Sequence, residues 1–98
     1  MHDVQHDRAA RRFSISIEGL QSELDYTLDG GTMTITHTGV PQVLSGRGVG
    51  SALAAAAFAA ARAEGWRVRP SCSFAAAWVK RHPQYADLLA SAAASLSG

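Results

Sequence analysis

HTGVPQVLSGRGVGSAL, residues 37–53, joins a segment of alternating threonines to an alanine-rich segment. Within it Gly46, Gly48 and Gly50 occupy every second position just before the alanines begin. Glycine is costly in ordered structure because it loses more conformational freedom on folding than any other residue. Its repetition at a strand-to-helix junction therefore indicates that a ligand approaches the backbone closely.

A loop that opens a helix directly after a strand presents free N–H groups at the positive end of the helix dipole. Such a site favours anions, above all phosphate, and Arg47 could add charge from the side. The GxGxG spacing is neither the dinucleotide pattern GxGxxG nor a P-loop, since no Gly-Lys-Ser/Thr follows. The alternative, a glycine turn that binds nothing, stays open.

Upstream of the loop, three segments alternate apolar and polar residues with the period of two that is typical of half-buried strands. Asp29-Gly30-Gly31 marks a hairpin between the second and third segments. The residues predicted to face inward are Phe13, Ile15 and Ile17 in the first segment, Leu24, Tyr26 and Leu28 in the second, and Met33, Ile35 and His37 in the third. The alternation therefore predicts three antiparallel strands that share one apolar face.

Downstream, residues 51–64 have high helix propensity, and Gly65 suits a helix stop. Residues 66–73 are predicted as a strand parallel to 32–40, because the crossover between them should be right-handed. Residues 73–82 and 85–96 are predicted as two further helical stretches. The fold class is therefore α+β: three antiparallel strands and a parallel βαβ crossover, with helices mainly on one face.

The 98 residues fit one domain, predicted as a mobile polar arm over 1–11 and a folded domain over 12–98. A net charge of +1 gives no electrostatic argument for nucleic acid or a membrane surface. The lone Cys72 excludes an internal disulfide and a CxxC zinc site, and His2 and His6 alone make no metal site. Without a secretory signal or a long apolar run, the expected location is the cytoplasm.

The end of the third strand carries a second indication of a ligand. Gly39 suggests a β-bulge or a backbone that a ligand approaches closely. Pro41 cannot donate a ladder hydrogen bond, so strand pairing should stop there. Strands 32–40 and 66–73 should then part at their carboxyl ends, where ligands bind between parallel strands.

Four pieces of the chain, in order, resemble the GCN5-related N-acetyltransferases, and more narrowly their small single-domain YjdJ-type branch. The pieces are LDY (24–26), HTGVP (37–41), SGRGVGSAL (45–53) and VRPSCSFAAAWVKRHPQYADLL (68–89). The likeness covers about residues 12–90 and implies a minimal acetyl-CoA-binding domain. It also implies transfer of acetyl from acetyl-CoA to an amine, which could be a small amine, a lysine or a protein N-terminus.

The resemblance further implies a cofactor site. The pyrophosphate would rest on the amides of Ser45, Gly46, Arg47, Gly48, Val49, Gly50 and Ser51. The pantetheine arm would pair with the backbone of Thr38, Gly39 and Val40, and an amide near Val40 could donate to the oxyanion. Ser45 stands where the family usually has Gln or Arg, which makes Arg47 more important.

Two residues are candidates for the chemistry itself. His37 has a suitable pKa range for a base, or it is a core histidine that holds the bulge. Cys72 could take the acetyl group covalently, or it is a small buried hydrophobe. Tyr85 could protonate the leaving thiolate, as a tyrosine often does in the family.

The remaining candidates belong to the second predicted helix. Ser71 or Ser73 could cap that helix or bind ligand backbone. Phe74 and Trp78, four residues apart, could belong to the core, or one edge of them could line the pantetheine channel. The basic residues 80–82 suit a helix C-terminus, or they contact the 3′-phosphate of CoA.

The chain lacks the helices that usually cover the acceptor groove in this family. The acceptor site is therefore expected to be open, or to be completed by the substrate or a second copy. The alanine-rich surfaces 52–61 and 90–94 would permit a homodimer. A CoA-binding or acyl-CoA-sensing module with little catalysis, and a purely structural domain without CoA affinity, are the alternatives to an enzyme.

Overall fold

Five strands form one mixed sheet in the order β1-β2-β3-β4-β5 in the computed structural model, which describes residues 2–90. The elements are β1 (Gln5–Asp7), β2 (Arg12–Ile17), β3 (Leu20–Asp29), β4 (Thr32–Gly39), α1 (Val49–Glu64), β5 (Arg67–Pro70) and α2 (Ser73–Lys80), with 3₁₀ helices at Gln42–Leu44 and Pro83–Leu88. Strands β1 to β4 pair antiparallel, and β5 pairs parallel to β4 after the α1 crossover. The predicted α+β class is confirmed.

The core lies between one face of the sheet and the two α-helices. Alternation buries Phe13, Leu24 and Ile35 on this face, and Leu53 and Phe58 of α1 pack onto it. Burying each such side chain stabilises the fold by about 1.5–3 kcal/mol. In the described part of the chain, the opposite face carries polar side chains and no helix.

The first eleven residues are not simply a mobile arm, as the sequence analysis expected. Gln5–Asp7 pairs with β2 as an edge strand, and Val4 packs against the core. The His6 ring stacks on Phe13 with the ring centroids 4.0 Å apart. A polar strand of three residues shows no apolar alternation, so its pattern gave no signal.

A β-bulge at Thr36 changes the faces of the last residues of β4. The register shifts between Asp25 and Tyr26, which face His37 and Ile35 respectively, so Thr36 has no partner on β3. An extra residue reverses the side-chain alternation beyond it. The predictions that His37 faces inward and that the bulge lies at Gly39 are therefore wrong: His37 is exposed, and Thr38 takes the inward place.

The helix α1 begins at Val49, two residues earlier than predicted from Ser51. Its N-cap is Gly48, which adopts a left-handed conformation with φ +77°. Gly65 ends the helix as predicted, also at φ +77°, with its N–H donating to the carbonyls of the last turn.

The boundaries after α1 also differ from the prediction. Strand β5 ends at Pro70 and not at residue 73, since its pairing with β4 stops at Ile35–Pro70. The chain enters α2 almost at once, with Cys72 as the N-cap. The third predicted helix is a 3₁₀ helix over Pro83–Leu88, and its remainder, with nearly all of the 90–94 surface, lies outside the described residues.

Candidate functional site

A cleft of about 490 Å³ lies where the end of β4, the glycine loop, the first turn of α1 and one side of α2 meet. It is lined by Thr38, Val40, Gln42, Leu44, Ser45, Gly46, Gly48, Val49, Gly50, Ser51, Phe74, Trp78 and Arg81. Most of these residues belong to the stretch 37–53 that opened the sequence analysis.

The glycine loop brings the start of α1 to the cleft without a side-chain cap. Gly46 and Gly48 adopt φ values of +83° and +77°, which favour glycine. The first helical bond runs from the Ala52 N–H to the Gly48 carbonyl, 3.0 Å away. The N–H groups of the three residues between them have no partner within the helix, so the loop presents donors and a positive dipole end to the cleft.

Gly50 must be glycine for a different reason from Gly46 and Gly48: the space for a side chain is taken, whereas its φ is ordinary. Its φ lies outside the left-handed region, but a Cβ there would lie 2.8 Å from Cζ of Phe74. The absent side chain therefore lets the Phe74 ring of α2 rest directly on the first turn of α1. Phe74 is 37% exposed and forms part of the cleft wall.

The second helix supplies the rest of that wall. Trp78 is buried, and its indole N–H donates to the Ser51 hydroxyl at 2.8 Å. His82 stacks on the same indole at 3.8 Å between ring centroids. Arg81 lines the cleft, whereas Arg47 is exposed and is not among the cleft residues.

Strands β4 and β5 part beside the cleft, as predicted. Pairing ends at Ile35–Pro70, and the Ile35 carbonyl accepts from both Ser71 N–H and Cys72 N–H at 3.0 and 3.1 Å. Strand β4 continues to Gly39 without β5 beside it. Its backbone from Thr36 onward is therefore free on this side to pair with an extended ligand.

Cys72 lies at this opening. It caps α2, with Sγ accepting from the Ala75 N–H at 3.3 Å. The Thr38 hydroxyl, turned inward by the bulge, lies 3.4 Å from the same Sγ. Cys72 is half-buried and packs against the core, so both alternatives for it stay open. The expectation that Ser71 or Ser73 caps this helix is wrong, since Cys72 is the cap.

His37 lies on the other face of the sheet, away from the cleft residues. Its side chain is 57% exposed, and Nε2 lies 3.5 Å from Glu23 Oε2. The alternative of a core histidine is therefore wrong. The bulge separates His37 from Thr38 and Cys72, which lie on the helix-covered side.

The structure thus gathers the predicted loop residues, Thr38, Val40 and Phe74 into one cleft. It leaves Gly39, Arg47, Ser73 and the two candidate catalytic residues outside the cleft wall. Tyr85 packs against Phe58 and Trp78 in the core region and does not line the cleft.

Two cleft residues were missed in the sequence: Gln42 and Leu44. The 3₁₀ helix Gln42–Leu44 has no periodicity to reveal it. For Trp78 and Arg81 the sequence left a cofactor contact open, beside a core role for Trp78 and a helix-end role for Arg81. Their spacing of three residues from one another, and Trp78's spacing of four from Phe74, were the available signal for a shared helix face.

Comparison with known proteins agrees with this geometry. The model of the GCN5-related N-acetyl-transferase family matches residues 12–88, and the chain therefore belongs to that family. It is 34% identical over 91 residues to Protein NATD1 of Xenopus tropicalis, covering 88% of this chain and 84% of that protein. The solution structure of a GCN5-like protein from Staphylococcus aureus superposes with a TM-score of 0.72 at 29% identity, covering 89% of this chain and 86% of that one.

Membership confirms the resemblance to the GCN5-related N-acetyltransferases, and acetyl transfer is the activity that this family supports. Among residues 2–90, no helix is long and apolar enough to cross a bilayer.

Proposed function

We propose that this protein binds acetyl-CoA in the cleft and transfers its acetyl group to a primary amine. One observation carries the proposal: the start of α1 and the separation of β4 from β5 lie next to each other. The uncapped start of α1, at Gly48, opens directly onto the point where β4 leaves β5. Phosphates on the helix end and an extended arm along the free strand would together match the shape of CoA.

The loop fits a pyrophosphate chemically. The Ser45 and Arg47 N–H groups already donate to the carbonyls of Gln42 and Leu44, so these two predicted donors are used within the loop. The donors that remain are the N–H groups of Gly46, Gly48 and the first turn of α1, which has no side-chain cap. Arg81 supports the same role, because it lines the cleft and a guanidinium can pair with phosphate oxygens. Since Arg47 lies outside the cleft, we assign to Arg81 the compensation for Ser45 that the sequence analysis expected of Arg47.

The pantetheine arm would lie along β4 beyond Ile35. Thr38, Gly39 and Val40 offer backbone groups there that β5 does not use. The arm would then bring its thioester beside Cys72 and Thr38. An amide near Val40, which lines the cleft, is the candidate donor to the oxyanion that forms when the carbonyl is attacked.

In this proposal Cys72 takes the acetyl group before the amine does. Its thiolate would attack the thioester carbonyl, the bond to the CoA sulphur would break, and CoA would leave with the proton that Cys72 lost. The Ala75 N–H and the Thr38 hydroxyl hold Sγ in position for this step. The acceptor amine then takes the acetyl group from Cys72.

A CoA-binding module with little catalysis is the second candidate. The bare face of the sheet favours it, because no helix in the described part of the chain forms a closed acceptor groove there. The two candidates share the cleft and differ only in turnover.

The test is release of free CoA from acetyl-CoA, with and without a primary amine such as cadaverine, beside a melting curve with CoA. CoA stabilisation together with amine-dependent release supports the enzyme. Stabilisation without release for any primary amine tried would leave only the binding module. Absence of stabilisation at millimolar CoA would overturn both.

A further inference from the structure

The N-terminal segment, residues 2–8, reaches from one end of α1 to the loop before its other end. At the far end, the Arg8 guanidinium lies 2.8 Å from the carboxylate of Glu64, the last residue of α1. At the near end, His2 Nε2 lies 3.0 Å from the carbonyl oxygen of Arg47 in the glycine loop. Strand β1 lies between these two contacts, and residues 2–8 are called here the N-terminal strap.

The middle of the N-terminal strap is held by the fold and not by its ends. Strand β1 pairs with β2, and Val4 packs against the core. The His6 ring stacks on Phe13 with the centroids 4.0 Å apart. The backbone that carries His2 toward the loop is therefore ordered already, so the His2 contact costs little further conformational entropy.

The contact between His2 and Arg47 has a defined direction. A carbonyl oxygen only accepts hydrogen bonds, so Nε2–H of His2 is the donor. The N–H of Arg47 donates in turn to the Leu44 carbonyl at 3.3 Å. Both polar backbone groups of Arg47 therefore have partners, and this residue is held from two sides just before the N-cap of α1.

The Arg47 carbonyl and the Gly48 N–H belong to one trans peptide group, in which they point in opposite directions. Holding the carbonyl toward His2 therefore turns the Gly48 N–H away from the strap. Gly48 lines the cleft, whereas His2 and Arg47 do not. No atom packs within 4 Å of the Cβ position of Gly48, so side-chain packing there does not fix the peptide, and the His2 hydrogen bond is what orients it.

Resting on the proposed function, we infer that the N-terminal strap belongs to the cofactor site and that His2 is its positioning residue. The hydrogen bond to the Arg47 carbonyl holds the Gly48 N–H toward the cleft, where an oxygen of the CoA pyrophosphate accepts it. Without that bond the peptide between Arg47 and Gly48 is free to rotate. Binding of CoA must then fix its orientation, which lowers the affinity.

The test measures the Kd of CoA by titration calorimetry for the wild type, His2→Ala, His2→Gln and Gln5→Ala. The amide nitrogen of glutamine lies near the position of imidazole Nε2, so His2→Gln keeps a donor without a ring or a charge. Gln5 is the matched control, because it lies in the same strap and its side chain contacts Asp3. Melting without CoA records whether each variant folds.

His2→Ala should raise the Kd of CoA about three- to tenfold, the effect of one net hydrogen bond. His2→Gln and Gln5→Ala should keep the Kd within about twofold of the wild type, as substitutions away from the contact do. The Tm without CoA should change by no more than about two degrees in any of the three variants.

A second measurement needs no cofactor. The amide resonance of Gly48 in the ligand-free protein should shift in His2→Ala and return toward its wild-type position in His2→Gln. A Gly48 resonance that is the same in His2→Ala and in the wild type would show that His2 does not orient this peptide, and would overturn the inference.

An unchanged Kd in His2→Ala would also overturn the inference, while the proposed acetyl transfer would stand. His2→Gln binding as weakly as His2→Ala would overturn it too, since the ring or its charge would then matter and not the donor. Absence of CoA binding by the wild type at millimolar CoA would instead mark the failure of the proposed function, and the inference about the cofactor site would fall with it.

Discussion

The indole N–H of Trp78 donates a 2.8 Å hydrogen bond to the hydroxyl of Ser51. This bond joins α2 to the first turn of α1, the two elements that form the walls of the cleft. Trp78 is almost fully buried, and the Ser51 hydroxyl is the partner of its indole N–H. The cleft is therefore held in shape by a polar contact, as well as by the stacking of Trp78 on Phe58.

Ser51→Ala should destabilise the protein by about 1–3 kcal/mol, the usual cost of a buried donor without a partner. For a domain of this size that lowers Tm by several degrees. The exposed Ser71→Ala is the matched control and should change Tm little. An unchanged Tm for Ser51→Ala would show that the bond does not stabilise the fold.

Gly50→Ala should lower Tm in the wild type, because the new Cβ would overlap the Phe74 ring. In a Phe74→Ala background the same change should raise Tm, since alanine is the better helix residue by about 1 kcal/mol. The measurement is a double-mutant cycle of melting temperatures. The same sign in both backgrounds would contradict the contact.

Cys72→Ser should keep the helix cap and lose the nucleophile. We expect a Tm near that of the wild type and amine-dependent CoA release that is at least about a hundredfold slower. Cys72→Ala should lose the cap as well, at a cost of about 0.5–2 kcal/mol.

Acetyl-CoA without an amine should add the mass of one acetyl group to the wild type but not to Cys72→Ser. Full turnover in Cys72→Ser would show that acetyl passes directly from CoA to the amine.

Acid should destabilise the fold through His6. Burial, and next the charge of Arg8, lower the pKa of His6 below its ordinary 6.5. The neutral ring is therefore favoured in the folded state, where it stacks on Phe13 and lies 2.6 Å from the Tyr26 hydroxyl. The stabilisation of the fold by neutral His6 is complete above pH ~6.5 and is lost as the pH falls through the folded-state pKa of His6.

The measurement is Tm against pH between 7 and 5. His6→Gln should flatten the fall in Tm seen in the wild type. Tyr26→Phe removes the hydroxyl but leaves the ring that buries His6, so this variant should show the same fall in Tm as the wild type. Parallel curves for the wild type and His6→Gln would contradict this account.

Much of the fold could be predicted from periodicity, because apolar alternation and alanine runs record burial directly. Phe13, Leu24 and Ile35 occupy the predicted inward positions, and Gly65 ends α1 as predicted. The glycine spacing 46–50 likewise located most of the cleft.

The wrong predictions share one physical cause. Each concerns a feature that depends on one extra residue in a strand or on one tertiary contact. The bulge at Thr36 depends on how β4 meets β3, so alternation alone placed His37 on the wrong face. In the sequence, Gly39 and Gly50 indicate a bulge or a backbone that a ligand approaches closely. Glycine is needed at both positions because the side chains of Glu23 and Phe74, which are distant in the chain, occupy the space of a Cβ.

The central claim, that the start of α1 is a CoA cradle, is tested most directly by melting with and without excess CoA. Gly48 and Gly65 flank α1, both have φ +77°, and neither has an atom within 4 Å of an added Cβ. Alanine should therefore strain both equally, by about 1–2 kcal/mol, while only Gly48→Ala touches the cleft. At ~100 times Kd, CoA should stabilise the wild type by about 2.7 kcal/mol, a shift on the order of ten degrees.

Gly65→Ala should keep that shift, and Gly48→Ala should lose most of it. No shift in the wild type, or equal shifts in the two variants, would contradict the claim.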